Sequence, residues 1–174
     1  MNFERKKIRL DKWDYSSDGI YFITICCQNR ELFFGSIDNH KVIFSKIGQI
    51  ASQFWLEIPS HFLHVKIDDF VIMPNHIHGI LILDYSLVGT RDGVSLQENN
   101  RNKFSYPVKN SISVIINQYK SSVKRWCNKN GFNNFCWQSR FYDKIVHNES
   151  PLEEIRTYII NNPKNWTSDE LYDQ

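Results

Sequence analysis

Apolar and polar residues alternate along several stretches of this chain with the two-residue period of a half-buried strand. In the first stretch, residues 20–27, Tyr21 and Ile23 fall on one face of an extended chain. Further strands are predicted over residues 41–44, 65–73 and 76–83. We expect the last two to pair as a hairpin, because Pro74-Asn75 between them has the composition of a turn.

A period close to 3.6 residues predicts helices over residues 47–57 and 111–128. The intervening segment 85–110 is polar and rich in Gly and Asn, so it is predicted to be a mobile loop. Because no repeat or domain boundary is evident, residues 1–174 are expected to form a single domain. The order of elements predicts an α+β fold, with one antiparallel sheet and helices packed on one face.

Two histidines stand at the head of the strand over residues 76–83. His76 and His78 are two residues apart, so both imidazoles project from one face of the sheet while Ile77 points to the other. Two neutral imidazoles so placed can bind one divalent metal ion. The pattern is also compatible with two partly exposed histidines at a sheet edge.

A further helix is predicted from Ser150 to the residues before Pro163. Ser150 and Glu153 have the spacing of a capping box, and proline ends a helix. Within it, Tyr158 and Asn162 are four residues apart, so they lie on the same face. One helix therefore offers a nucleophilic hydroxyl and an oxygen ligand, although a buried tyrosine followed by an asparagine cap is an equally simple interpretation.

Two other tyrosines compete for the role of nucleophile. Tyr119 lies on the apolar stripe of its helix, and Val123 occupies the position one turn later, so Tyr119 is predicted to be a core residue. Tyr142 lies in an extended segment and is suited either to stacking on a base or to packing on the sheet. Only Tyr158 combines a helix with a neighbouring amide, so Tyr158 is the predicted nucleophile.

Composition narrows the class of protein. The chain has 174 residues and 41% hydrophobic content, which suits a globular domain with a core. It has no long apolar run and no apolar signal segment near its start. The four cysteines form no CxxC or zinc spacing, and reduced thiols of this kind predict a cytoplasmic protein.

The net charge is only +2, but its distribution is uneven. No acidic residue occurs from residue 99 to residue 142. The basic residues of this segment are Arg101, Lys103, Lys109, Lys120, Lys124, Arg125, Lys129 and Arg140. The first twelve residues add Arg5, Lys6, Lys7, Arg9 and Lys12. Such a basic stretch indicates a nucleic-acid partner, although a solvated helix face would look similar.

Several motifs, in a fixed order, resemble those of the REP-associated tyrosine transposases, a single-tyrosine branch of the HUH (His-hydrophobic-His) nucleases. The stretches that carry the resemblance are 9–15, 19–26, 70–79, 119–121, 137–143 and 156–163, with Trp166 following. They span nearly the whole chain. The resemblance implies a ferredoxin-like core and a bacterial, nucleoid-associated protein. Members occur as monomers and as dimers, so a homodimer is one of two expectations.

The resemblance also implies a reaction and a set of site residues. The metal, Mg²⁺ or Mn²⁺, would be held by His76, His78 and Asn162, and Tyr158 would attack a phosphate of single-stranded DNA at a REP-like hairpin to form a 5′-phosphotyrosine intermediate. Many relatives carry Gln where this chain has Asn162. No base for Tyr158 is evident. The residues expected to contact DNA are Lys120, Lys124, Arg125, Trp137, Arg140 and Tyr142.

Two alternatives remain at this point. One is a non-catalytic protein, derived from a transposase, that binds hairpin nucleic acid. The other is a phosphoesterase acting on a small nucleotide; its two-histidine form needs a second His-x-Ser/Thr element, which His61 and His64 do not supply.

Overall fold

A computed structural model describes residues 17–87 and 110–172. Its strands are β1 (Gly19–Cys26), β2 (Gly35–Asp38), β3 (Lys41–Phe44), β4 (Val65–Ile72), β5 (His76–Leu83) and β6 (Tyr142–Val146). Its helices are α1 (Lys46–Leu56), α2 (Ile58–His61), α3 (Ile112–Lys129) and α4 (Glu149–Asn161). Among these residues, no helix is long and apolar enough to cross a membrane.

The central sheet has four strands in the order β4-β5-β1-β6, and every neighbouring pair is antiparallel. Helix α1 lies between β1 and β4 in the chain, and α3 lies between β5 and β6. This is the split β-α-β arrangement of a ferredoxin-like fold. The α+β class, the antiparallel sheet and the β4-β5 hairpin predicted from the sequence are therefore confirmed; β2 and β3 form a separate small hairpin.

The two faces of the sheet are covered by different helices. Helices α1 and α3 pack on the face that carries Tyr21 and Ile23, where most of the core lies. Here Gly79 has a packing role, since a Cβ at this position would meet the Trp55 indole at 2.4 Å. The crossover helices thus lie on one face, as expected.

Helix α4 packs on the opposite face, whereas the prediction was of helices packed on one face. The smaller cluster beneath it contains Ile80, Val146, Leu152, Ile155 and Ile159. The physical reason is that β5 is apolar on both faces, because Ile80 and Ile82 alternate with Leu81 and Leu83. A strand of this kind needs a second cover.

Helix α4 begins at Glu149 and not at Ser150. Asn148 occupies the N-cap position without a side-chain hydrogen bond, so the predicted capping box is not formed. The helix ends at Asn161, and Asn162 keeps helical dihedral angles as its C-cap. Pro163 therefore ends the helix as predicted, while Asn162 stays one turn beyond Tyr158.

Parts of the predicted organisation lie outside the described residues. These are the basic residues of the first twelve positions, most of the predicted loop over 85–110, and Arg101, Lys103 and Lys109. The start of that loop, Tyr85–Leu87, forms a short 3₁₀ turn.

Candidate active site

The two histidines of β5 lie side by side on the face covered by α4. Their ring centroids are 4.5 Å apart, and both side chains are buried. Ile77 between them is fully buried in the larger core on the other face. The predicted placement of the HxH motif is therefore confirmed.

Asn75 orients the first imidazole. Its Oδ1 lies 2.7 Å from His76 Nδ1, and an amide oxygen can only accept a hydrogen bond. His76 Nδ1 therefore carries the proton, and Nε2 keeps its lone pair. That Nε2 is buried and has no hydrogen-bond partner among the described residues. The Asn75 Nδ2 also donates to the Leu171 carbonyl at 2.8 Å, which joins the turn before β5 to the last described segment.

The second imidazole is held by β1 and faces the tyrosine. His78 Nδ1 lies 2.9 Å from the Thr24 hydroxyl, and the His78 ring stacks on Phe22 at a centroid distance of 5.3 Å. Its Nε2 lies 3.0 Å from the Tyr158 hydroxyl. Strand β1 therefore positions His78 so that its second nitrogen points to the predicted nucleophile.

Helix α4 supplies both of the side chains predicted for it. Tyr158 is 44% exposed, and its hydroxyl reaches His78. Asn162 is buried, and its Oδ1 has no hydrogen-bond partner in the described part of the chain. The fold thus brings His76, His78, Tyr158 and Asn162 together.

Asp169 is a member of this site that the sequence analysis missed. Its Oδ2 accepts hydrogen bonds from Tyr158 at 3.2 Å and from Asn162 Nδ2 at 2.8 Å. It follows a 3₁₀ turn, Trp166–Ser168, whose Trp166 ring lies 6.0 Å from that of His76. The only sequence signal was an aromatic residue shortly after the helix-ending proline, which indicates that the chain packs back on the domain.

Burial keeps the imidazoles neutral. It lowers the pKa of His76 to about 3, with a further contribution from His78, and lowers the pKa of His78 to about 4. Burial and the negative charge of Asp169 raise the pKa of Tyr158 to about 12. Burial also acts to raise the pKa of Asp169, but hydrogen bonds from the Leu171 amide and Asn162 lower it on balance. At neutral pH the site therefore combines two neutral imidazoles, a protonated phenol and a carboxylate.

These groups fit a divalent metal ion. One donor atom each from His76, His78 and Asp169 lie within 4.8 Å of one another. Buried polar atoms without partners are rare because they cost free energy, and a cation would satisfy both His76 Nε2 and Asn162 Oδ1. A cluster of imidazole and oxygen donors suits several divalent ions, so it could bind a metal without specifying which.

Two of the three lysines of α3, Lys120 and Lys124, form hydrogen bonds inside the fold. Lys120 is buried, and its ammonium group donates to the carbonyls of Gln138 at 2.7 Å and Ser139 at 3.3 Å. Lys124 donates to the carbonyls of Asn133 and Phe135. Their contact with DNA phosphates stays a prediction, and it would compete with these internal hydrogen bonds.

The other predicted DNA contacts are distributed over both faces. Arg125 is exposed on α3, which lies across the sheet from the histidines. Arg140 is exposed just before β6. Trp137 is partly buried and donates its indole N–H to the Lys120 carbonyl at 3.0 Å. Tyr142 pairs with Thr24 in the sheet, so it shares the face of His78, and it is 51% exposed. Their roles remain predictions.

The third tyrosine is a core residue, as predicted. Tyr119 is buried, and its hydroxyl donates to the Ala51 carbonyl at 2.9 Å.

Comparison with solved structures places this fold beside a transposase. A REP-associated tyrosine transposase bound to a REP hairpin superposes with a TM-score of 0.59 and 18% sequence identity, covering 91% of this chain and 74% of that chain. At this identity the likeness shows a shared fold. No protein-family model matches the chain.

A relative with clear sequence similarity is known from Haemophilus influenzae. This uncharacterised protein is 38% identical over 168 residues, covering 97% of this chain and 93% of its own length. The chain therefore belongs to the same family as the Haemophilus influenzae protein.

Proposed function

We propose that this protein is a metal-dependent enzyme that nicks and rejoins single-stranded DNA, with Tyr158 as its nucleophile. Its substrate would be hairpin DNA, and its biological role would be that of an HUH single-tyrosine transposase. The solved transposase of similar fold is described with a REP hairpin, and this supports the choice of substrate.

The main support for this proposal is the environment of the Tyr158 hydroxyl. It lies 3.0 Å from His78 Nε2 and 3.2 Å from Asp169 Oδ2, on a half-exposed side chain. Two buried acceptor atoms, His76 Nε2 and Asn162 Oδ1, lie in the same cluster and have no hydrogen-bond partner among the described residues. A purely structural tyrosine would not require unpaired buried acceptors beside it.

Asp169 provides the proton acceptor that the sequence analysis did not find. A metal ion on His78 Nε2 would leave that nitrogen unable to take the Tyr158 proton, and the Asp169 carboxylate is then the acceptor that remains. His76, His78 and Asn162 would hold this Mg²⁺ or Mn²⁺ beside the Asp169 carboxylate. Such an ion, when bound, supplies positive charge that polarises the scissile phosphate.

The reaction is a transfer of the phosphoryl group to tyrosine. The Tyr158 oxygen forms a bond to phosphorus while its proton passes to Asp169. The bond from phosphorus to the 3′-oxygen breaks, and that oxygen leaves and takes up a proton as a 3′-hydroxyl. The DNA on the 3′ side remains attached as a 5′-phosphotyrosine, which conserves the phosphodiester energy for rejoining by a 3′-hydroxyl.

The proposal is tested by a denaturation-resistant protein–DNA adduct. Wild-type protein with Mn²⁺ or Mg²⁺ and single-stranded hairpin DNA should form an adduct that retains a label placed on the 3′ side of the cut. Tyr158→Phe should form none, because only the attacking oxygen is removed.

Matched controls are available at the other two tyrosines. Tyr142→Phe removes a hydroxyl on the same face of the sheet, and Tyr119→Phe removes one in the core; both should still form the adduct. An adduct that persists in Tyr158→Phe would reject the assignment of the nucleophile. Hairpin binding by a wild-type protein that never forms an adduct would favour the non-catalytic binding protein.

A further inference from the structure

An ion pair joins the tyrosine helix to an irregular point of the sheet. The pairing of β4 with β5 shifts between Ile67 and Phe70, so β4 carries an extra residue there. Bulges of this kind redirect side chains. Asp68 lies in the bulge, and its Oδ1 accepts the Asp69 backbone N–H at 2.8 Å, which orients the carboxylate.

Arg156 of α4 binds this carboxylate through two of its guanidinium nitrogens. Nη2 lies 2.6 Å from Asp68 Oδ2, and Nε lies 3.1 Å from the same oxygen. The third nitrogen, Nη1, donates to Glu149 at 3.1 Å and to Glu153. The side chains of Arg156 and Asp68 are only 26% and 17% exposed. A two-pronged, partly buried contact of this kind fixes direction as well as distance.

The apolar contact beneath α4 does not fix direction in the same way. Its buried stripe consists of Leu152, Ile155 and Ile159. Aliphatic packing is non-directional, so a narrow stripe permits some roll of a helix about its axis. With side-chain ends about 5–6 Å from the axis, a roll of about 20° moves them by about 2 Å.

Arg156 and Tyr158 lie on opposite flanks of that stripe. Arg156 follows Ile155 by one residue, and Tyr158 precedes Ile159 by one. At 100° per residue, each is therefore rotated by similar angles to either side of the stripe centre. A contact that pins the Arg156 flank opposes the roll that would carry the Tyr158 hydroxyl away from His78.

We propose that Asp68 and Arg156 are positioning residues that set the roll of α4 and so hold the Tyr158 hydroxyl against His78. This inference rests on the proposed function for its consequence in the reaction. Reactions at bound phosphates are sensitive to such placement, and a shift of about 1 Å can cost about 100-fold in rate.

The first arm of the test needs neither DNA nor metal. In the full-length protein, the side-chain resonances of Tyr158 and His78 should shift in Asp68→Asn and in Arg156→Gln, and amide exchange along α4 should accelerate. The control is Lys66→Gln. Lys66 lies on β4, as Asp68 does, and its substitution breaks a surface ion pair with Asp84 (3.3 Å). The control should leave these resonances in place, and unchanged resonances in both test variants would overturn the proposal.

The second arm separates positioning from DNA binding. At saturating hairpin DNA, Asp68→Asn and Arg156→Gln should slow adduct formation by about 10- to 100-fold with an unchanged Kd. Arg156→Lys keeps the positive charge but cannot form the two-nitrogen contact with Asp68, so its rate of adduct formation should lie between those of the other two variants and wild type.

Asp68→Asn is the decisive variant in this arm, because removing a negative charge cannot remove a phosphate contact. If only the affinity for DNA falls, and only in the Arg156 variants, then Arg156 contacts a phosphate and the proposal is overturned. If wild-type protein forms no adduct at all, the proposed function fails, and the resonance arm still decides on the positioning role.

Discussion

The polar groups of the candidate active site, on β5 and α4, differ from those of helix α3 in whether they have hydrogen-bond partners. In the site, His76 Nε2 and Asn162 Oδ1 are buried without hydrogen-bond partners in the part of the chain that the structure describes. On α3, the ammonium groups of Lys120 and Lys124 are partly or fully covered, yet each has backbone carbonyls as partners.

The difference shows how to separate a functional group from a structural one. Most buried polar groups that serve only the fold are paired, because leaving one unpaired costs about 1–3 kcal/mol; the Trp55 indole nitrogen is an exception among the described residues. A group that serves a ligand can remain unpaired until the ligand arrives. Local charge alone does not make this distinction, since the basic segment looked like a DNA-binding surface and part of its charge is used internally.

The largest expected effect tests the unpaired side of this comparison. His76→Ala should abolish adduct formation and weaken Mn²⁺ binding measured by titration in the absence of DNA, because it removes a nitrogen ligand that has no hydrogen-bond partner among the described residues. Since burial lowers the pKa values of His76 and His78 to about 3 and about 4, wild-type Mn²⁺ binding should persist at pH 5. His61→Ala is the control. Full activity of His76→Ala, or activity in excess EDTA, would contradict a metal site here.

The next effect concerns the carboxylate that the fold adds to the site. Asp169→Asn should slow adduct formation by about 100-fold at neutral pH, because the amide cannot take the phenol proton. The loss should shrink as pH rises, since hydroxide can then remove that proton. Glu170→Gln changes the neighbouring acid and should have little effect. Equal rates for Asp169→Asn and wild type would exclude Asp169 as the acceptor.

A smaller effect tests the paired side. Lys120→Met should lower the free energy of unfolding by about 1–3 kcal/mol, because the Gln138 and Ser139 carbonyls lose their donor. Its effect on the salt dependence of DNA binding should be slight. Arg125 lies on the exposed part of the same helix. Arg125→Gln should leave the free energy of unfolding nearly unchanged and, if Arg125 contacts a phosphate, reduce the salt slope of DNA binding by about one unit. Urea unfolding and binding titrations at several salt concentrations measure these two effects. If Lys120→Met changed the salt slope and Arg125→Gln lowered the stability, Lys120 would be the DNA contact and Arg125 the structural residue.

The smallest effect concerns stability against pH. Arg156 holds the pKa of Asp68 below its ordinary value, mainly through its hydrogen bonds. The pair therefore stabilises the fold above the unfolded-state pKa of about 4, and this stability is lost as pH falls through the lower folded-state pKa. Asp68→Asn should be less stable than wild type by about 1 kcal/mol at pH 7, and the gap should narrow as pH falls below the unfolded-state pKa of about 4. Urea unfolding at pH 7 and at several lower pH values measures this gap, and a gap independent of pH would contradict this assignment.

Four residues of the candidate site were placed correctly by local periodicity. The i, i+2 spacing of a strand put His76 and His78 on one face, and the i, i+4 spacing of a helix put Tyr158 and Asn162 on one face. The core role of Tyr119 followed in the same way from the stripe of its helix. Such predictions succeed because the side-chain direction within one element depends on its own backbone.

The sequence by itself therefore determined three of the four strands of the central sheet, the β4-β5 hairpin, the helix that carries Tyr158 and the polar side chains that these elements present. Only the tertiary structure decided that α4 covers the second face of the sheet, that Asp169 returns to Tyr158, and that Lys120 is used inside the fold. These depend on contacts between residues that are distant in the chain or follow irregular turns, such as Asp169 after Trp166–Ser168. No repeat along the sequence records such contacts, because they arise from the competition among all buried groups for the same space and the same hydrogen-bond partners.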